Sequence, residues 1–362
     1  GVIVATSGYA AVMPDYIGLG NSPGIHLYQH AHTEATASID IMRACRMICE
    51  EENKPLNDQL FLIGYSQGGH AVMATHRMIQ EELFDEFEVT ASAPGGGPYD
   101  MSGAQLDMVS SWEPYAVPGY LPFLVQSYQQ IYGNLYDSIQ QIYVPPYDET
   151  LPPLLDGSVG MWELNQAMPS VPREIFQPAY ADEFFADTLH SAFVALKDND
   201  VYNWVPEAPV MFNYCRSDEE VSYLNTINAA DYMLSAGAPD IQVIERDTVL
   251  GHYECAQPSI FFSKLWFDTM ANFCGEDNVG IEEIKTNPEI ELFPNPVSDG
   301  IVNLTNQMPL HIQVRDLRGR IISNPIRVKA SGMIDLNHLR PGIVLLELIT
   351  DNGSLTKKLI IN

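Results

Sequence analysis

The sequence predicts an α/β protein with a mostly parallel sheet covered by helices on both faces, followed by a small all-β unit. Three observations carry this. Strand and helix signals alternate through residues 1–275. A stretch rich in Tyr, Trp and Pro, from about 100 to 206, interrupts that alternation. Beyond Cys274 the pattern changes to short alternating runs separated by turn signals.

In order, Ala10-Ala-Val-Met13 reads as a strand ending at Pro14-Asp15. A long helix is expected from about Ala31 to Glu52; Thr33 and Glu34 supply its start signals, and Ile39, Met42, Arg43 and Arg46 continue its faces. Leu60-Phe-Leu-Ile63 is an unbroken apolar run bounded by turns, the pattern of a buried central strand. A helix is expected next, to about Leu83, then a strand at Val89–Ala93 that Pro94-Gly-Gly-Gly-Pro98 stops. The stretch from Asp100 to Pro206 carries Trp112, Tyr115, Tyr120, Phe123, Tyr128, Tyr132, Tyr136 and Tyr143. It is too long for a loop in a compact domain and reads as an inserted helical cap. Alternation resumes with an expected strand at Pro209–Asn213, a helix from about Val221 to Ala236, a strand at Ile241–Glu245 and a helix at Ser259–Phe273. Residues 276–289, polar and acidic, read as a linker. From 290 to 362, Val302–Leu304, His311–Val314, Gly342–Leu348 and Leu355–Ile361 read as strands of a β-sandwich. The domains expected are thus 1–275 and 290–362.

Charge narrows the partners. The chain has a formal net charge of −29, and residues 1–285 carry 10 basic against 40 acidic side chains. Such a surface repels phosphate backbones, which need clustered Lys and Arg, and repels anionic lipid. Nucleic acid is therefore not expected as a partner, and neutral substrates, or a salty environment that screens self-repulsion, fit better. No apolar run approaches the ~18 residues of a transmembrane helix.

Gly64-Tyr65-Ser66-Gln67-Gly68 matches G-x-S-x-G with an apolar strand before it and a helix after it. In that context Ser66 projects above the sheet as a nucleophile and the backbone N–H of Gln67 faces a developing oxyanion. The glycines are expected on both sides because the turn is too tight for Cβ atoms. A serine needs a base, and the base an orienting carboxylate. In the order Ser, acid, His, the candidates are Asp218, in the turn Cys215-Arg-Ser-Asp-Glu-Glu-Val221, and His252, in the loop Leu250-Gly-His-Tyr253. Both follow strand ends, where ligands collect in open α/β sheets. Glu219 and Glu220 are alternatives to Asp218, which the first turn position favours. Cys215 precedes Asp218 by three residues and Cys255 follows His252 by three, so convergent loops predict a Cys215–Cys255 disulfide. Cys45 and Cys49, i,i+4 on a helix, are expected as buried thiols, and the odd Cys274 remains. His26, His30 and His32 cluster without carboxylate spacing for zinc and are expected to pack at the start of the first long helix; His70 is expected to cap or pack, and the role of His190 is open.

These residues resemble the secretory lipases, an α/β-hydrolase family. The match covers roughly 1–275 and rests on Met13-Pro-Asp-Tyr-Ile-Gly-Leu-Gly-Asn-Ser-Pro-Gly24, the Gly64–Gly69 elbow and the Asp218 and His252 turns. The resemblance implies a Ser66–Asp218–His252 triad, a helical cap, and hydrolysis of carboxylic esters, lipid esters included, with no cofactor and no metal. Asp15 and the glycines after it look like a structural turn. Gln67 stands where the fungal members usually carry a smaller residue, and is expected to reshape the acyl pocket. Residue 1 is Gly, and the fold's earlier strands and its second oxyanion loop normally precede Met13. The expectation is therefore a fragment that lacks its first strands, has an exposed sheet edge, and has lost an oxyanion donor worth about 3 kcal/mol.

Residues 292–362 resemble the sorting domain of the type IX secretion system of Gram-negative bacteria. The cues are Phe293-Pro-Asn-Pro296, Val314-Arg-Asp-Leu-Arg-Gly-Arg320, Leu339-Arg-Pro-Gly-Ile343 and the terminal Lys357-Lys-Leu-Ile-Ile361, in that order. They imply a secreted or surface-attached protein whose partner is that export machinery. Two other functions fit the same residues: a serine peptidase with the same triad, and an inactive hydrolase fold used for adhesion.

Overall fold

The computed structural model describes residues 1–54, 56–273, 292–298, 300–304, 311–316, 320–323, 325–327, 332–350 and 353–361. Contacts divide the chain into two compact units, Gly1–Cys274 and Gly275–Asn362. The expected linker, 276–289, and Cys274 lie outside the described residues.

The first unit begins with a short helix α1 (Val2–Ala5), then α2 (Ala31–Glu51), β1 (Leu60–Tyr65), α3 (Gln67–Glu82) and β2 (Val89–Gly95). Seven short helices follow: α4 (Ala104–Val109), α5 (Tyr120–Tyr132), α6 (Ile139–Ile142), α7 (Tyr147–Thr150), α8 (Met161–Gln166), α9 (Pro178–Ala186) and α10 (Ser191–Asp198). Then come β3 (Val210–Cys215), α11 (Leu224–Ser235), β4 (Ile241–Asp247) and α12 (His252–Asp268). The sheet order is β1-β2-β3-β4, every pair parallel.

Burial explains the layering. Strands β2 and β3 are central and almost wholly buried. On one face Ala35 of α2, Met73 and Ala74 of α3, and Ala229, Ala230 and Met233 of α11 pack with Val210 and Phe212. On the other, Ala91 and Ala93 of β2 meet Phe267 of α12. The sheet is thus covered by helices on both faces, which requires apolar side chains in both directions. Between β2 and β3 the inserted segment builds cores of its own, one around Ile142, Tyr143, Leu151 and Ile175 and another around Tyr128, Leu135 and Leu196.

Two elements differ from the sequence reading. Ala10–Met13 is not a strand: Val12 packs against the Ile39, Met42 and Leu62 cluster while Met13 is exposed. A strand needs a backbone neighbour as well as an apolar run, and hydropathy does not specify one. The last helix of the unit starts at His252 rather than Ser259 and contains Pro258. Proline there removes one helical hydrogen bond, but the tertiary contacts of α12 carry the helix through it.

The second unit holds β5 (Leu292–Phe293), β6 (Ile301–Leu304), β7 (His311–Arg315), β8 (Ile326–Arg327), β9 (Met333–Asp335), β10 (Gly342–Thr350) and β11 (Gly353–Ile361). They form antiparallel sheets β11-β10-β7-β8 and β5-β6-β9. Alternate residues from both (Val302, Leu304 and Ile334; Ile312, Val314, Leu346, Leu348 and Leu359) share one core. That is a sandwich.

Candidate active site

Ser66 occupies the turn from β1 into α3 with φ 58° and ψ −124°. Such a backbone costs a serine roughly 1–3 kcal/mol and persists only where packing dictates it. The turn is so tight that a Cβ on Gly64 would lie 2.1 Å from the carbonyl oxygen of Gly68. Gly68 itself has open space around its Cα, so the steric demand falls on the first glycine of the motif and not on both. The backbone N–H of Gln67 heads α3, where the first amides lack intrahelical acceptors and the helix dipole favours negative charge.

The other candidates arrive from the ends of neighbouring strands. His252 Nε2 lies 2.8 Å from Ser66 Oγ, and its Nδ1 lies 2.7 Å from Asp218 Oδ2. Asp218 Oδ1 accepts the backbone N–H groups of Glu220 and Val221 at 3.0 and 2.7 Å, which locks the carboxylate. Asp218 and His252 are buried. Burial lowers the pKa of His252, but the Asp218 hydrogen bond and the charges of Asp218, Glu220 and Glu219 outweigh it, and the net shift is upward. Cys215 at the end of β3 and Cys255 in α12 form a disulfide with Cα atoms 6.0 Å apart.

Glu219 and Glu220, alternatives to Asp218 in the sequence, take different places. Glu219 Oε2 accepts the backbone N–H of His252 at 2.9 Å. A Cβ on Gly251 would come within 2.6 Å of that same oxygen, so any larger residue there would make the carboxylate shift. Glu220 Oε2 stands 3.9 Å from His252 Nε2 and accepts the hydroxyl of Tyr120 at 3.0 Å. Tyr65 donates its hydroxyl to the carbonyl of His252 at 2.7 Å.

Ser66 opens on a cavity of about 1080 Å³, counting its part open to solvent, roofed by the inserted helices. Its walls are mainly apolar and aromatic, including Tyr28, Leu121, Leu124, Tyr128, Phe176 and Phe184. Gln67 is not on that wall. Its side-chain amide sits 2.8 Å from both Glu34 Oε1 and His26 Nε2, so its larger size builds a network behind Ser66 instead of reshaping the cavity. Glu34 Oε2 pairs with His70 Nδ1 at 2.6 Å, and His70 Nε2 reaches the carbonyl of Asn199 at 2.9 Å. Glu34 and His70 are fully buried. Burial alone would lower the pKa of His70, but Glu34 and the Asn199 carbonyl raise it overall.

No local sequence signal marks this ion pair: residues 34 and 70 are far apart, and Glu34 carries only the pattern of a helix start. His26, His30 and His190 also bond within their own segments. His26 Nδ1 is 3.1 Å from the Ile17 carbonyl, His30 Nδ1 is 3.1 Å from Thr33 Oγ1, and His190 caps α10 by accepting the Ala192 N–H. Cys45 and Cys49 are free and half-buried, less enclosed than expected. Among the described residues no group of three His, Cys, Asp or Glu is placed to hold a metal. None of the described helices is long and apolar enough to cross a membrane.

Comparison with known proteins gives no match among curated proteins. Among solved structures, a Legionella pneumophila protein described only at the level of a hydrolase is 27% identical, with TM-score 0.68, over 74% of this chain and 72% of that one. The rice cell wall degrading esterase LipA from Xanthomonas oryzae is 30% identical, with TM-score 0.59, over 69% of this chain and 66% of that one. Candida antarctica lipase A shares the fold at 18% identity, TM-score 0.53, over 68% and 56%. Residues 291–362 match the secretion system C-terminal sorting domain, which makes this a secreted or cell-surface protein. Residues 2–260 match the secretory lipase model, and with a parallel sheet, a helical insertion and a serine elbow to go with it, the chain belongs to the secretory lipase family and is a hydrolase of the esterase/lipase kind.

Proposed function

We propose that the chain is a serine hydrolase of carboxylic esters that works through an acyl-enzyme. The observation that carries the reading is the hydrogen-bonded chain Ser66–His252–Asp218, at 2.8 and 2.7 Å, opening on a mainly apolar cavity. Ser66 Oγ attacks the ester carbonyl carbon while its proton passes to His252 Nε2. The oxyanion accepts the Gln67 backbone N–H. Asp218 fixes the tautomer and stabilises the imidazolium. When the tetrahedral intermediate collapses, the C–O bond to the alcohol breaks and the alkoxide takes the proton from Nε2. Water then repeats the sequence on the acyl-enzyme, releasing the acid and restoring Ser66.

The apolar cavity supports an acyl chain or aromatic group as the bound part of a lipid or small-molecule ester, and the likeness to a cell-wall-degrading esterase supports ester substrates. The catalytic unit is residues 1–275, joined by 276–289 to the sorting unit 290–362, which engages the type IX machinery.

Fluorophosphonate labelling of the full chain, with Ser66→Ala as control, tests the nucleophile, and a 4-nitrophenyl ester series beside matched amides tests the bond. Labelling at Ser66 with ester turnover well above amide turnover is expected. No labelling would instead favour an inactive adhesion module, and faster amide turnover a peptidase.

A further inference from the structure

We infer that Glu220 selects among esters by charge, turning away those with a negative charge near the scissile carbonyl, and that Tyr120 holds its carboxylate off the catalytic nitrogen. The inference rests on the serine-hydrolase reading of the same site.

Among the described residues, two charged side chains line the cavity, Glu220 and Arg173. The Arg173 guanidinium stacks over Phe185 and Trp112, at 4.2 and 4.9 Å from the ring centroids. Those rings are 46% and 66% exposed, which sets that cation at the solvent edge of the cap. Glu220 lies at the other extreme, beside the chemistry. Its Oε2 is 3.9 Å from His252 Nε2, too far for a hydrogen bond but close enough for a strong Coulomb interaction.

The cap fixes it there. Tyr120 donates to Oε2 at 3.0 Å, while Tyr115 and Gln105 donate to the Glu220 backbone carbonyl at 2.6 and 3.1 Å. A carboxylate held at its head and its backbone cannot swing aside when a like charge enters. Unit charges about 8 Å apart at an effective dielectric near 20 repel enough to change a rate roughly thirtyfold.

The Tyr120 bond has a second effect. In the acylation transition state the proton on Nε2 must be shared with the departing alcohol. A free Glu220 would compete for it, and the Tyr120 hydroxyl keeps that oxygen occupied. The other groups facing His252 are Asp218 and Glu219 from the same loop, Ser66, and Tyr65, whose ring centroid is 5.0 Å away. Among the described residues, Glu220 is the charged group that approaches Nε2 from the cavity side.

The test uses the full chain and two esters of equal length, 4-nitrophenyl valerate and 4-nitrophenyl hemiglutarate, which differ by a terminal carboxylate. Wild type should prefer the neutral ester. Glu220→Gln should raise the hemiglutarate-to-valerate ratio of kcat/KM about tenfold or more and move the acid limb of the pH profile down. Glu220→Asp, which keeps the charge, should retain most of the discrimination. Tyr120→Phe should lower kcat on valerate and move the acid limb up, and adding Glu220→Gln should reverse that shift. A ratio within twofold of wild type in Glu220→Gln overturns the selection. An unmoved acid limb in Tyr120→Phe overturns the restraint. A wild-type chain that hydrolyses neither ester and does not label at Ser66 overturns the serine-hydrolase reading itself, a result distinct from either.

Discussion

Glu219 accepts the backbone N–H of His252 at 2.9 Å, one residue along from the carboxylate that holds the same histidine's ring. Helix α12 begins at His252 and has no side-chain cap from its own N-cap residue, Gly251. A carboxylate from the loop after β3 therefore does the capping from outside, and places negative charge at a helix N-terminus where the dipole favours it. In the acidic run 218–220, Asp218 thus holds the ring and Glu219 the backbone, while Glu220 faces Nε2 from 3.9 Å without bonding it.

Glu219→Ala should therefore loosen His252 without touching the ring. A hydrogen bond to a charged acceptor contributes about 1.5–3 kcal/mol. The expected outcome is a fall of about tenfold or more in kcat on a neutral ester with KM little changed, measured by steady-state kinetics.

Asp218→Asn should be far more severe. It preserves shape but favours the wrong imidazole tautomer, a change worth roughly 10⁴-fold in kcat where the same triad operates. Labelling by fluorophosphonate should slow in proportion while circular dichroism stays native.

Activity should fall on the acid side at a pH above the ordinary histidine value of about 6.5. His252 has a raised pKa in the folded protein, and only its neutral form can accept the serine proton. A raised pKa keeps it protonated to higher pH, so the acid limb of kcat/KM moves upward. A rate profile across pH 5–9 on a neutral ester measures this.

Glu34→Gln removes the counter-charge from a fully buried His70. Breaking a buried pair from one side costs about 3–5 kcal/mol. Because the folded pKa of His70 is raised, the stability it contributes is complete below its unfolded value and is lost as pH rises through the folded one. The gap between wild type and Glu34→Gln in urea unfolding should therefore be widest at acidic pH and narrow on the alkaline side.

The Cys215–Cys255 disulfide closes a sequence separation of 40 residues, for which loop-closure entropy gives about 4 kcal/mol. Cys215→Ser with Cys255→Ser should lower stability by roughly 2–4 kcal/mol and weaken activity, because the same bond ties the Asp218 loop to the first turn of α12. Thermal melts with and without reductant would measure the stability part on the unaltered chain.

From its own order the sequence specified the alternation of strand and helix, the inserted segment, the serine elbow and the β-rich tail. Each of these depends on local periodicity, turn chemistry or a short motif, which neighbouring residues encode. Tertiary structure decided what the local pattern could not: that Ala10–Met13 pairs with no strand among the described residues, and that α12 runs through Pro258 back to His252. It also divided three adjacent carboxylates among three tasks, since Asp218, Glu219 and Glu220 are chemically alike until the end of α12 and the cap arrive to face them. The buried Glu34–His70 pair was invisible for the same reason. Its energy comes from two groups leaving water together, and no stretch of chain shorter than the distance between them records that event.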